Sequence, residues 1–498
     1  MKRKSMIRLT ALMMAVALTG CGNNTEKPSE MTGEGDIIRD ENGNVVYKNI
    51  TLKMWSVTTG DDAKTQDGIV QEFNTLYDGM IKVEVEHHSR YELEQLLNTT
   101  MQFDKKNAPD MMFNHGSRAA EYNARGWLIP CESFFEKSNV VFDKTDFAES
   151  LLNAVTLKDK VYGMPIDCHS AMMEIRTDIL EKNNLALPTN YDELVDVCDR
   201  AAELASNNNL WIRGENSDGY AATEWRKAST AEAYTAFPIS YGDMWVHEFF
   251  GYTALVQNGG SIVDSSTGLP SWYSKETNEG LQLVRDWSMP TKTSKNHHAL
   301  SKDYGSAYDV GDGPFRSGNA IFKLQGPWSY QKDKDDFDSI LSKDKGSKNI
   351  TTRSLSSMIC KDKTKPYASK VKGEGHAIMM LDTITSMTKA CAATVFMDYM
   401  AYNSGITWAK RGHIPAAQSV SKSEIYQADP AYDEYIKYWG TPSDYVVVEP
   451  TEHYTTVDQY FKNGLLQVMS SQYKDKSIDE IMKKQYDDCK AYIELFAE

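Results

Sequence analysis

The sequence has no Cys-x-x-Cys pair. Its seven cysteines stand far apart, which leaves neither a zinc ribbon nor a thioredoxin-like redox site. No apolar run approaches the roughly 18 residues of a membrane span, so a multi-span membrane protein is excluded. Positive charge is scarce: 54 Lys and Arg against 70 Asp and Glu leave a net charge of −16. A nucleic-acid surface wants the opposite balance, so no nucleic-acid partner is expected. No Gly-x-Ser-x-Gly, His-Glu-x-x-His or P-loop occurs, which removes the recognisable hydrolase and nucleotide motifs. A glycoside hydrolase would need two carboxylates roughly 5–9.5 Å apart, and nothing singles out such a pair among 70 acids.

Metal signatures are missing as well. The ten histidines are scattered, and the pairs His87-His88 and His297-His298 are adjacent rather than four apart, the spacing that builds a helical site. Asp333, Asp335, Asp336 and Asp338 have neither the turn glycine nor the closing Glu of a calcium loop. They read as a solvated acidic patch. No metal and no cofactor are therefore expected, and capture of a metal or peptide stands only as an alternative reading.

What is present begins at the N-terminus. Lys2, Arg3, Lys4 and Arg8 precede a short apolar stretch from Leu9 to Leu18, then Thr19-Gly20-Cys21. A basic start with a short apolar core is a secretory signal over residues 1–20. Leu18-Thr19-Gly20-Cys21 resembles the bacterial lipobox, which implies lipidation of Cys21. Removing the leader takes the net charge from −16 to −20. Two or three acyl chains, at ~0.8 kcal/mol per buried CH2, would hold a soluble body at the outer face of the cell membrane. Residues 21–49 are polar and read as a flexible stalk. The six remaining cysteines could pair outside the cell, although a chain of 498 residues does not need them to make a core.

The body is α/β in pattern. Ile50-Thr51-Leu52-Lys53-Met54-Trp55-Ser56 and Ile81-Lys82-Val83-Glu84-Val85-Glu86 alternate as strands around a helix carrying Ile69, Val70, Phe73 and Leu76. Strand, helix, strand makes a βαβ unit in a parallel sheet. Asp61 and Asp62 read as capping that helix. Pro109 to Asn114 is a buried strand that opens into a loop, and ligands collect at the C-terminal ends of such strands. Trp55, Asn114, His115, Ser117 and Arg118 fall there. Tyr234, Phe237, Tyr241, Trp245, Phe249 and Tyr252 suggest one aromatic helix over 234–252. Ile478, Ile481, Met482 and Tyr486 predict a closing amphipathic helix.

Several segments fall in a recognisable order: Pro109-Asp110-Met111-Met112-Phe113; Tyr162 to Asp167 with Ile175 to Leu180; Phe315 to Ile321 with Gly326-Pro327-Trp328; and Gly405-Ile406 through Arg411 to Ala416. Together with the lipobox, this set resembles the cluster 1 extracellular solute-binding lipoproteins of ABC importers, the class that includes maltose- and other oligosaccharide-binding proteins. Departures are Glu174-Ile175-Arg176 in place of the family's Tyr-Tyr-Asn, Thr177 in place of Lys, and a longer Trp- and Tyr-rich stretch over 205–245.

The resemblance implies two α/β lobes joined by crossing strands, 50–166 plus 373–412 and 167–372 plus 413–498. A neutral oligosaccharide would sit in the cleft, the protein would be monomeric, and an ABC permease would be its membrane partner. Gly373, Gly375 and Gly412 fall near the expected crossings. A sugar ring offers an apolar face for aromatic side chains and a rim of hydroxyls for planar polar ones. Trp328, Trp55, Tyr241 and Trp245 are the candidates for the first role. Asp167, His169, Asn114 and Arg118 are the candidates for the second.

Overall fold

The computed structural model describes residues 35–215, 221–228, 236–241, 245–303, 312–341, 349–360, 362–429, 432 and 444–496. The first sheet has five strands. Ile50–Ser56 lies between Ile81–His87 and Met111–His115, parallel to both, and the helix Gly60–Leu76 crosses between the first pair. Alternation does what it predicts: Leu52, Met54, Ile81 and Val83 are buried while Lys82 and Glu84 point outward. Met111–His115 is buried at every residue, because it has a strand on each side and cover on both faces. Its second neighbour is the antiparallel strand His376–Met380, which in turn pairs with Gly163–Pro165. The helix Met387–Asp398 packs over this sheet and buries ten of its residues.

The second lobe is built on the antiparallel sheet of Phe322–Gln325, Met172–Arg176 and Ile350–Ser354, with Met172–Arg176 in the centre. The polar side chains at its edge are paired. Asp178 takes Arg176 Nη2 and Arg213 Nε, each at 2.8 Å, and Arg213 lies 4.0 Å over Trp225. The helices Lys275–Ser288, Tyr454–Met469 and Ile478–Phe496 pack against one another on this lobe, and the last is the expected amphipathic terminus. The chain thus leaves the first sheet after Pro165 and returns to it at His376. The six cysteines from Cys131 to Cys489 are buried thiols, none joined in a disulfide.

Four expectations are corrected. The stalk does not run to residue 49. Asp36 accepts hydrogen bonds from the Ser386 hydroxyl at 2.5 Å and the Met387 amide at 2.7 Å, Val45 is buried, and Arg39 bridges Val45. Residues 35–49 are therefore part of the first lobe, tied to orphan amides at a helix start. The described residues over 234–252 do not form a single helix: Phe237–Ile239 is a strand parallel to Ser301–Asp303, and Trp245–Gly251 is a wide helical turn. Pro238 has no amide to give a helix, and Phe237 stacks on Phe322 at 4.9 Å. Asp333 is not solvated. It is fully buried between Lys323 at 2.5 Å and Arg316 at 2.9 Å. Finally, the first lobe holds the chain beyond residue 412: Ala417 bridges Phe147 and the Ser419 hydroxyl bonds Asp146.

Candidate functional site

Three segments meet where the lobes join. Asp167–Cys168 pairs antiparallel with Ile414–Pro415, and His169 forms a bridge with Glu374. Each segment carries a histidine into the same small volume: His169, His376 and His413. Asp167 is their shared partner and is completely buried. Its carboxylate accepts from His376 Nδ1 at 2.8 Å, from the His376 amide at 3.0 Å and from Trp408 Nε1 at 2.6 Å. His169 Nδ1 lies 3.4 Å away and His413 Nδ1 3.5 Å away.

Electrostatics follow from this packing. Burial opposes the Asp167 charge, but His376, His413 and the His169 hydrogen bond outweigh it and hold the carboxyl well below its ordinary range. Burial pushes the His169 imidazole down to about 4. The same cause, joined by His376, Arg90 and His169, takes His115 well below its usual value. His413 goes the other way. Its burial is overcome by Asp167 on one side and Asp62 on the other, whose carboxylate stands 3.2 Å from Nε2.

An aromatic wall stands on this cluster. The Trp328 ring lies 5.5 Å from His413, nearly parallel, and 5.4 Å from His169, edge to face. It comes from the second lobe, on the Gly326-Pro327 turn at the start of the helix Pro327–Ile340. Gly412 makes this approach possible: its φ is +86°, and a Cβ there would stand 2.7 Å from the Pro327 carbonyl carbon.

Other groups latch the lobes together. Arg90 Nη1 bonds both carboxylate oxygens of Glu248, at 2.8 and 3.0 Å. Arg118 donates to the Thr455 hydroxyl at 2.7 Å and lies 4.5 Å over the Tyr454 ring. Thr455 in turn bonds Glu121 at 2.9 Å. Within the first lobe, Ser117 donates to Glu374 at 3.1 Å.

Against the sequence expectations, Asp167, His169 and Trp328 are brought together. Arg118 is 8% exposed and is held by Glu94, Glu121 and Thr455. Asn114 is buried, its amide donating to the Tyr122 hydroxyl at 2.9 Å and its oxygen accepting from the His115 amide. Both side chains are thus occupied by protein partners. Trp55 is half-buried and meets His88 edge to face at 5.4 Å. Tyr241 reaches the Ser301 carbonyl at 3.2 Å, which keeps its hydroxyl on the second lobe. The Trp245 side chain and Cys21 lie outside the described residues. Asp61 and Asp62 occupy the first turn of their helix without capping it by side chain, and they face Arg411 and His413. Sequence reading passed over His376, His413, Trp408 and the Arg90–Glu248 pair. No local spacing links residues that meet only through three separated segments.

Residues 68–434 match the family of bacterial extracellular solute-binding proteins. The chain belongs to that family. Solved structures of the same architecture include the GacH receptor of Streptomyces glaucescens, determined unliganded and with acarbose, at 15% identity and TM-score 0.67 over 90% of this chain and 98% of that one. Maltose-bound MalE3 of T. maritima aligns at 16% identity and TM-score 0.66, covering 89% and 100%. An ABC substrate-binding protein of Listeria monocytogenes in complex with cycloalternan aligns at 16% identity and TM-score 0.64, covering 89% and 99%. This solute-binding protein therefore has the two-lobe α/β fold, and its family works outside the cytoplasm by binding. No helix among its described residues is long and apolar enough to cross a membrane.

Proposed function

We propose that this solute-binding protein captures a neutral oligosaccharide between its lobes and delivers it to the membrane subunits of an ABC importer, as a monomer anchored by lipid on Cys21. The lobes are read as 35–166 plus 373 onward and 167–372 plus the C-terminal helices, with the third passage after Ser419 rather than at 412. The observation that carries the reading is Trp328: a half-buried indole from one lobe, in ring contact with His169 and His413 at the junction, beside the buried Asp167. A flat apolar face next to imidazole and carboxylate partners suits a sugar ring with its rim of hydroxyls. Leaving such a partner unpaired costs ~1–3 kcal/mol, which is how the rim is read. The acarbose, maltose and cycloalternan complexes of the solved neighbours favour the same ligand class. A charge of −20 without the leader disfavours anionic sugars.

Binding of this kind breaks no bond. The ligand stabilises the closed arrangement by making more contacts in it than in the open one. A calorimetric and thermal-shift screen of plant and storage oligosaccharides tests the reading. A ligand at 100 times its Kd should add ~2.7 kcal/mol of stability, and Trp328→Ala should weaken the hit by about tenfold or more, the loss of one stacked ring. A screen with no stabilising glycan overturns the sugar reading. Labelled palmitate incorporated by the wild type and absent from Cys21→Ser tests the anchor.

A further inference from the structure

One donor atom from each of Asp167, His169, His376 and His413 lies within 4.8 Å of the other three, and all four residues are buried. We propose that this cluster binds one divalent transition-metal ion of the zinc class, through three imidazole nitrogens and one carboxylate oxygen. The proposal does not depend on the sugar reading.

The donor set selects the metal. Imidazole nitrogens suit zinc and its neighbours, whereas calcium and magnesium take oxygen ligands. The spacing fits as well. His376 and His413 Nδ1 stand 2.8 and 3.5 Å from Asp167 Oδ2, and His169 Nδ1 stands 3.4 Å from Oδ1. A tetrahedron with bonds of about 2.0–2.1 Å has edges of about 3.3–3.4 Å.

The outer partners are those of a metal-bound histidine and carboxylate. His413 turns Nε2 to the Asp62 carboxylate at 3.2 Å, which leaves Nδ1 directed at the cluster. The Asp167 carboxylate is oriented by the Trp408 indole N–H at 2.6 Å and the His376 amide at 3.0 Å. Such outer contacts set ring orientation and ligand basicity. A purely hydrogen-bonded cluster accounts for the site less well, because among the described residues His413 Nδ1 is buried with no hydrogen bond, the Asp167 carboxylate standing 3.5 Å away. A metal ion supplies the missing partner.

Four protein ligands complete a tetrahedron, the arrangement of a structural rather than a catalytic ion. The ligands come from three segments that are distant in sequence and adjacent at the junction. The ion therefore clamps the place where the lobes meet, and it fixes the two rings, His169 and His413, on which Trp328 rests.

The test uses the untagged full chain, stripped with chelator and titrated with ZnCl2 in the absence of sugar. One ion per chain and a raised melting temperature are expected. Co2+ in its place should give the intense visible bands of a tetrahedral site. His376→Gln and His413→Gln, checked for native fold by circular dichroism, should lose those bands and more than about a hundredfold in affinity, since even an outer partner carries ~10–100-fold. Asp62→Asn should weaken binding within that smaller range. A melting curve indifferent to ZnCl2, a pale octahedral Co2+ spectrum, or equal uptake by wild type and His413→Gln overturns the proposal. Should the glutamine variants fail to fold, the wild-type Co2+ spectrum decides alone. A failed titration leaves the sugar screen untouched, and a failed screen leaves the titration untouched.

Discussion

The Arg90–Glu248 pair joins the first strand-helix layer to the opposite lobe, and its two members are unequal. Glu248 is 7% exposed and Arg90 24%. An exposed pair is worth ~0–1 kcal/mol, while stripping the partner from a buried charge costs ~3–5 kcal/mol. Arg90→Ala keeps the buried carboxylate and removes one bifurcated donor, at a cost between the exposed and the buried limits, ~2–3 kcal/mol. Glu248→Gln leaves a guanidinium that can turn to water, at ~1 kcal/mol. The contact exists only with the lobes together, so the loss appears in closure. Ligand affinity should fall ~30–150-fold for Arg90→Ala and ~5-fold for Glu248→Gln, at 1.4 kcal/mol per decade. The melting temperature of the ligand-free protein should move little. Calorimetric Kd values for the two single variants and the double variant form a thermodynamic cycle. A coupling under ~0.5 kcal/mol, the reverse order of the two variants, or a fall in ligand-free melting that matches the lost affinity would refute a closure role.

The remaining predictions concern backbone and pH. Gly412→Ala must adopt a left-handed backbone and meet Pro327 at 2.7 Å, whereas Gly126→Ala, at φ +71°, meets nothing within 4 Å. The conformational cost of ~1–2 kcal/mol is common to both, so Gly412→Ala should melt lower than Gly126→Ala, and equal melting would dismiss the Pro327 contact. Burial raises the Asp178 carboxyl, but Arg176 and Arg213 outweigh it and leave the group below its ordinary 3.8. Its stabilisation is therefore complete above that value and is lost as pH falls through the lowered one. The melting gap between wild type and Asp178→Asn should shrink on acidification below ~pH 4, and a gap constant with pH would contradict the ion-pair account.

The βαβ start, the buried Met111–His115 strand and the terminal helix were legible because each is a local pattern of buried and exposed residues. The ordered landmarks located Asp167, His169 and Trp328, which do converge. The aromatic stretch over 234–252 misled because apolar spacing cannot tell a helix from a strand followed by a wide turn; Pro238 was the overlooked signal. The acidic run misled in the same way. Nothing near Asp333 in sequence announces that Lys323 comes close enough to bury it, since their contact depends on how the helix Pro327–Ile340 lies on its sheet.

Sequence alone settled the class of elements, their order and the acidic balance, because these depend on neighbours along the chain. Tertiary structure decided that Arg118 and Asn114 serve protein partners, that residues 35–49 belong to the first lobe, and that His376 and His413 join Asp167. The reason is that a carboxylate shared by three imidazoles forms when separated strands pair side by side, and strand pairing at the junction is a long-range contact that no window of sequence contains.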